Sequence, residues 1–132
     1  MSTNEKRWRH VERILVIYDD PRSERTVRRI LEPAGYGVIT VPFGPIAIGV
    51  FQKTKPGLVV LDVCRPGKSS QDLCRRIRVN SESVPLLVLS AVGDVPDVVL
   101  LLALGADGYI TKPFSLDEFL ARVRAAMRHL IC

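Results

Sequence analysis

Four short apolar runs in this sequence each end on side chains that can do chemistry. Asp19 and Asp20 follow the run from Ile14 to Tyr18, Asp62 follows Leu58-Val59-Val60-Leu61, Ser90 follows Leu86-Leu87-Val88-Leu89, and Lys112 follows Gly108-Tyr109-Ile110-Thr111. Acids, a hydroxyl and an ammonium brought to one place suit phosphoryl transfer onto a carboxylate. That chemistry needs a nucleophilic oxygen, a divalent cation, and fixed positive charge for the equatorial oxygens. Asp62 is then the nucleophile, with Lys112 and the Ser90 hydroxyl contacting the phosphoryl oxygens. Asp19, helped by Asp62 and a backbone carbonyl, is expected to hold Mg²⁺, a hard ion that takes one or two protein carboxylates and completes its shell with water and phosphate. Asp62 is the strongest signal, because an acid directly after a fully apolar strand costs desolvation unless it is paired or functional. Lys112 could equally be a structural ion-pair partner for it, and Asp19 and Asp20 taken alone read as well as a helix cap.

The elements that must position these residues are legible as an alternation. Short Val-, Ile- and Leu-rich runs alternate with helix-length segments of mixed polarity, five pairs in all, which predicts a parallel sheet with helices on both faces. Strands are expected over Arg13 to Tyr18, Gly37 to Val41, Leu58 to Leu61, Leu86 to Leu89 and Gly108 to Thr111. Helices are expected from Pro21 to about Glu32, Ile46 to Lys53, Gln71 to Val79 and Pro96 to Leu104, and from a Ser115 cap with Glu118 three residues on, the spacing of a capping box. In the fourth helix Val99 and Leu102 are expected in the core, leaving Val98, Leu100 and Ala103 as an exposed apolar strip. In such a sheet ligands bind outside the carboxyl ends of the strands, where strand order reverses, and every candidate site residue named above stands at such an end.

At 132 residues the chain fits one domain with one core. Residues 1–10 read as a basic N-terminal extension and 11–132 as the domain. No apolar run approaches the ~20 residues that span a bilayer, and the N-terminus lacks the pattern of a secretory signal, so the expected location is the cytoplasm with no membrane partner. Cys64, Cys74 and Cys132 are an odd number without metal-ligand spacing, which argues against a disulfide framework or a zinc site. The net charge of +5 comes from arginines dispersed over several helices, a pattern of solvated helix faces more than of a nucleic-acid surface.

The stretches Ile14-Leu15-Val16-Ile17 with Asp19, Ala34-Gly35-Tyr36, Leu61-Asp62-Val63 with Pro66-Gly67, Leu89-Ser90-Ala91, and Gly105 through Lys112-Pro113-Phe114 resemble, in their joint spacing, the receiver domain of bacterial response regulators. The resemblance runs from Ile14 to about Arg128. It implies a doubly wound, flavodoxin-like α/β fold with strand order 2-1-3-4-5, and Asp62 as phosphoacceptor from a histidine kinase or a histidine phosphotransfer protein. It implies a metal site of Asp19, Asp62 and the Cys64 backbone carbonyl. It also implies a switch in which the Ser90 hydroxyl moves toward the phosphate and Tyr109 turns inward, reshaping the surface of the fourth helix, fifth strand and fifth helix for a downstream protein or a second copy. Such a receiver is not an enzyme on another substrate, and at most catalyses its own phosphotransfer and slow dephosphorylation.

Three departures from the family stand out. Tyr18 occupies the place of the first of two adjacent acids, which predicts weakened Mg²⁺ binding, with Asp20 next door as a possible substitute ligand. The turn Arg65-Pro66-Gly67-Lys68-Ser69-Ser70 lacks the family's common Asp-Gly pair. Cys64 and Val92 stand at two positions that tune hydrolysis of the phosphate, and neither positions an attacking water, which predicts a long-lived phosphate. The rival reading is a pseudo-receiver, an interaction module that signals without phosphate. A flavodoxin-like cofactor protein is disfavoured because Asp19-Asp20-Pro21 would repel an anionic cofactor. No effector segment follows Ile131, so the expected output is a protein contact, and nucleic acid enters only if a DNA-binding domain belongs to a longer parent.

Overall fold

The computed structural model describes residues 13–64, 67–91 and 95–128. The expected basic extension, Arg65 and Pro66 of the turn after β3, and Val92 lie outside the described residues. The elements, in chain order, are β1 (Arg13–Tyr18), α1 (Pro21–Leu31), β2 (Gly37–Pro42), α2 (Ile46–Thr54), β3 (Leu58–Val63), α3 (Lys68–Asn80), β4 (Leu86–Ser90), α4 (Val95–Ala103), β5 (Gly108–Thr111) and α5 (Leu116–Arg128). The strands form one parallel sheet in the order β2-β1-β3-β4-β5, as the alternation and the resemblance led us to expect.

Side chains alternate between the faces of a strand, and the two cores follow that parity. Leu15, Ile17, Leu61 and Val88 pack with Ala47 and Phe51 of α2, Leu73, Cys74 and Ile77 of α3, and Leu101 of α4. Ile14, Val16, Val60 and Leu89 pack with Val27 and Leu31 of α1 and with Phe119, Leu120, Val123 and Met127 of α5. Covering both faces leaves β3 and β4 buried along their whole length, which is why they read as continuous apolar runs. Pro42 extends β2 by one residue beyond its expected end; β2 is an edge strand, where a missing N–H is tolerated.

Local signals set the helix ends. Pro21 supplies a pre-set φ at the first position of α1, and the Asp20 side chain accepts from the Arg22 N–H at 2.9 Å, the N-cap arrangement. The Ser115 hydroxyl likewise accepts from the Glu118 N–H at 3.0 Å ahead of α5. Helix α4 ends where Gly105 (φ +119°) donates to Leu102 O at 3.1 Å and Ala106 to Leu101 O at 3.0 Å, the paired bonds of a Schellman stop.

Helix α4 corrects one expectation. Its core residue is Leu101, with no exposure, while Val99 and Leu102 are 58% and 41% exposed. The apolar strip on its outer side is therefore Val99, Leu100, Leu102 and Ala103, with Val98 half-buried. The reason is a lack of contrast: positions 98–103 are all apolar, so periodicity alone could not set the roll of the helix.

Candidate functional site

Parallel register brings the strand ends together. Tyr18 pairs with Asp62 across β1 and β3, Val63 with Ser90 across β3 and β4, and Ser90 with Thr111 across β4 and β5. Two backbone bonds extend these ladders past the strands: Asp19 N–H donates to Asp62 O at 3.2 Å and Lys112 N–H to Ser90 O at 2.7 Å. Asp19, Asp62, Ser90 and Lys112 are thereby held on one rim of the sheet.

Asp62 is fully buried. Its Oδ1 forms an ion pair with Lys112 Nζ and accepts from Ser23 Oγ at 2.9 Å, while Lys112 Nζ also donates to Ser23 Oγ at 2.8 Å. Its Oδ2 is buried and has no hydrogen-bond donor among the described residues. A bare carboxylate oxygen in that setting is unfavourable without a cation or donor. Asp19, exposed at the rim, accepts from the Cys64 N–H through Oδ2 at 2.8 Å, so the Asp19 carboxylate, the Cys64 backbone and Asp62 share one corner. Among the described residues no group of three His, Cys, Asp or Glu side chains is placed to hold an ion. The corner instead offers one or two carboxylates and a backbone carbonyl, the partial shell that suits Mg²⁺. A depression of about 340 Å³ opens beside it, lined by Asp19, Phe43, Val63, Gly67, Lys68 and Ser69 among others.

Asp20 is placed differently from its neighbour. Oδ1 accepts from the Arg22 N–H at 2.9 Å and Nε at 3.3 Å, and Oδ2 from Nη2 at 3.1 Å. The Arg22 side chain, then its backbone N–H, hold the Asp20 carboxyl below its ordinary value. This is the N-cap of α1, closed by the Arg22 guanidinium. The Cys64 thiol, exposed and outside any disulfide, is pushed up by partial desolvation and then by the Asp19 charge. Ser90 is fully buried and takes the parity of Leu86 and Val88, on the α4 side of the sheet. Tyr109 is half-buried against the same cluster. The two expected switch residues thus stand on the face that α4 covers, whereas Asp62 and Lys112 meet the first turn of α1.

Ser23 is the site residue that sequence reasoning missed. A signal existed: Ser23, Val27 and Leu31 recur every fourth residue, and the latter two are core. A hydroxyl on the inward stripe, one turn from a strand-end acid, faces the site by helix geometry.

Comparison with known proteins agrees with the fold. The family model described as response regulator receiver domain matches residues 14–124. A probable transcriptional regulator, ycf27 of Galdieria sulphuraria, is 43% identical over 126 residues, covering 92% of this chain and 48% of that protein. The DNA-binding response regulator MtrA of Mycolicibacterium smegmatis is 40% identical over 117 residues, covering 89% and 51% respectively. The chain spans about half the length of the curated relatives it matches. Among solved structures, the BeF3-activated N-terminal receiver domain of Klebsiella pneumoniae RstA superposes with a TM-score of 0.80 at 32% identity, covering 88% of this chain and 98% of that one.

Proposed function

The chain belongs to the response regulator receiver family, and we propose that it works as a phosphorylated switch, taking a phosphoryl group on Asp62 with Mg²⁺ bound beside it. The observation that carries this is the state of the Asp62 carboxylate: wholly buried, held by Lys112 on Oδ1, and bare on Oδ2. Mg²⁺ there would be held by Asp19, Asp62 and the Cys64 carbonyl, and supplies neutralisation of the negative charge that gathers where two anions meet.

The chain's own residues do the rest. The Asp62 backbone is fixed in β3 between β1 and β4, which places its carboxylate at the site before the donor phosphorus arrives. Lys112, anchored through its N–H to Ser90 O, lies within reach of both Asp62 and an arriving phosphoryl group. The Ser90 hydroxyl then turns to the phosphoryl oxygens, and Tyr109 follows it inward on the α4 face; this couples the site to the exposed Val99, Leu100 and Leu102, the surface we assign to a downstream protein or a second copy. A contiguous apolar strip on an outer helix is typical of such surfaces. The donor is a phosphohistidine on a kinase or phosphotransfer protein. DNA binding by a longer parent, as the name of the mycobacterial relative states for that protein, is a further proposal. So is a cytoplasmic location, supported by the free thiols of Cys64 and Cys74.

The test is incubation with acetyl phosphate and Mg²⁺ and, separately, with beryllofluoride, followed by intact mass and amide NMR. Addition of one phosphoryl group, absent in Asp62→Asn, is the expected result; an unmodified chain overturns the reading.

A further inference from the structure

The Ser23 hydroxyl lies between the two charged groups of the site. It donates to Asp62 Oδ1 at 2.9 Å and accepts from Lys112 Nζ at 2.8 Å. A hydroxyl carries one proton; Lys112 is donor only, so the Ser23 oxygen accepts from the ammonium and its proton goes to the carboxylate. Both donors therefore converge on Oδ1, and Oδ2 is left bare.

A serine in the first turn of a helix usually bonds its own nearby backbone. Here the bond reaches 39 positions along the chain. Ser23 also sits on the stripe with Val27 and Leu31, where an aliphatic side chain would bury more apolar area. The hydroxyl thus displaces packing in favour of a polar contact with the site.

Rotation of a carboxylate about its terminal torsion is broad and nearly two-fold, and a lysine ammonium is a compact point charge that restrains it poorly. A second, directional bond from a side chain fixed on a helix restrains it well. We propose that Ser23 is a positioning residue for phosphoryl transfer to Asp62, locking the carboxylate about its terminal torsion with Oδ2 left bare and tethering Lys112 before the phosphoryl group arrives. The proposal rests on the phosphoacceptor reading above. In the step it serves, a lone pair of the Asp62 carboxylate forms the new O–P bond while the bond from phosphorus to the acetyl oxygen of acetyl phosphate breaks. That electron pair leaves as acetate, and Ser23 gains and loses no proton.

The experiment compares the whole chain with its Ser23→Ala and Ser23→Thr variants for the rate of phosphorylation by acetyl phosphate at saturating Mg²⁺, read by intact mass, with melting curves recorded in parallel. Loss of one orienting hydrogen bond is expected to slow Ser23→Ala roughly tenfold, and Ser23→Thr, which keeps the hydroxyl, is expected within about threefold of the parent. A Ser23→Ala rate equal to or above that of the parent overturns the proposal. So does a Ser23→Thr rate as low as that of Ser23→Ala, because the role would then be one of shape. If the parent chain itself takes no phosphoryl group, the phosphoacceptor reading falls and this inference with it; where the parent reacts, a failure in the variants falls on the role of Ser23 alone.

Discussion

Tyr18 closes β1 directly opposite Asp62, in the place where a second acid would serve the metal corner. An added carboxylate within a water's reach of a bound cation contributes about 1 kcal/mol. Tyr18→Asp is therefore expected to tighten Mg²⁺ binding about fivefold, measured by titration; parent-like affinity would show that the tyrosine does not weaken the site. Asp20 is no substitute in its present pose, since Arg22 takes both of its oxygens. A different residue contributes to stability at alkaline pH. Burial pushes the Cys74 thiol up to about 11 from 9.0, with Arg78 and Arg75 pulling weakly the other way. The unfolded chain gives up that proton near pH 9 and the folded one only near pH 11. This contribution is thus intact below pH 9 and is lost as pH rises through 11. Between these values the parent should lose on the order of 1–2 kcal/mol relative to Cys74→Val in denaturant unfolding; parallel curves would count against it.

At the scale of elements, the turn after α4 is tied to α3 and to the start of β4. Gly105 takes φ +119°, and a Cβ there would meet the Arg78 side chain at 2.7 Å. Arg78 in turn donates to Gly105 O at 2.6 Å, to Val84 O at 2.7 Å and to Asp107 Oδ2 at 3.0 Å, and Asp107 Oδ2 also accepts from Leu86 N–H at 2.8 Å. One guanidinium thereby joins α3, the start of β4 and the α4–β5 turn. Gly105→Ala combines backbone strain with displacement of this clamp, and is expected to destabilise by about 1–3 kcal/mol, read as a lowered denaturant midpoint with an unchanged slope. A neutral effect would mean that the stop of α4 does not depend on the glycine.

For the molecule as a whole, a bare buried oxygen at the centre of the sheet edge makes stability depend on what binds there. A ligand at about a hundred times its Kd adds about 2.7 kcal/mol to the folded state. Mg²⁺ at that excess should raise the melting temperature by roughly 10 °C, and chelation should reverse the gain. Asp62→Asn should abolish the response. A parent whose melting ignores Mg²⁺ would remove the metal from the account without touching the fold.

The sequence by itself determined the sheet, its strand ends and therefore Asp19, Asp62, Ser90 and Lys112, because apolar runs of strand length have only one way to be buried on both faces and the acid or amine that follows must emerge at the rim. It also marked the helix starts at Asp20-Pro21 and Ser115, where capping chemistry is local. The tertiary structure alone decided which way helices roll. That roll turned Leu101 inward in place of Val99 and Leu102, and only the packing of α1 on the sheet joined the Ser23 hydroxyl to both Asp62 and Lys112. The physical reason is the same in each case: a residue's position along a helix is local information, but its direction depends on contacts with strands distant in sequence, and where neighbours are uniformly apolar or uniformly polar no periodicity records it.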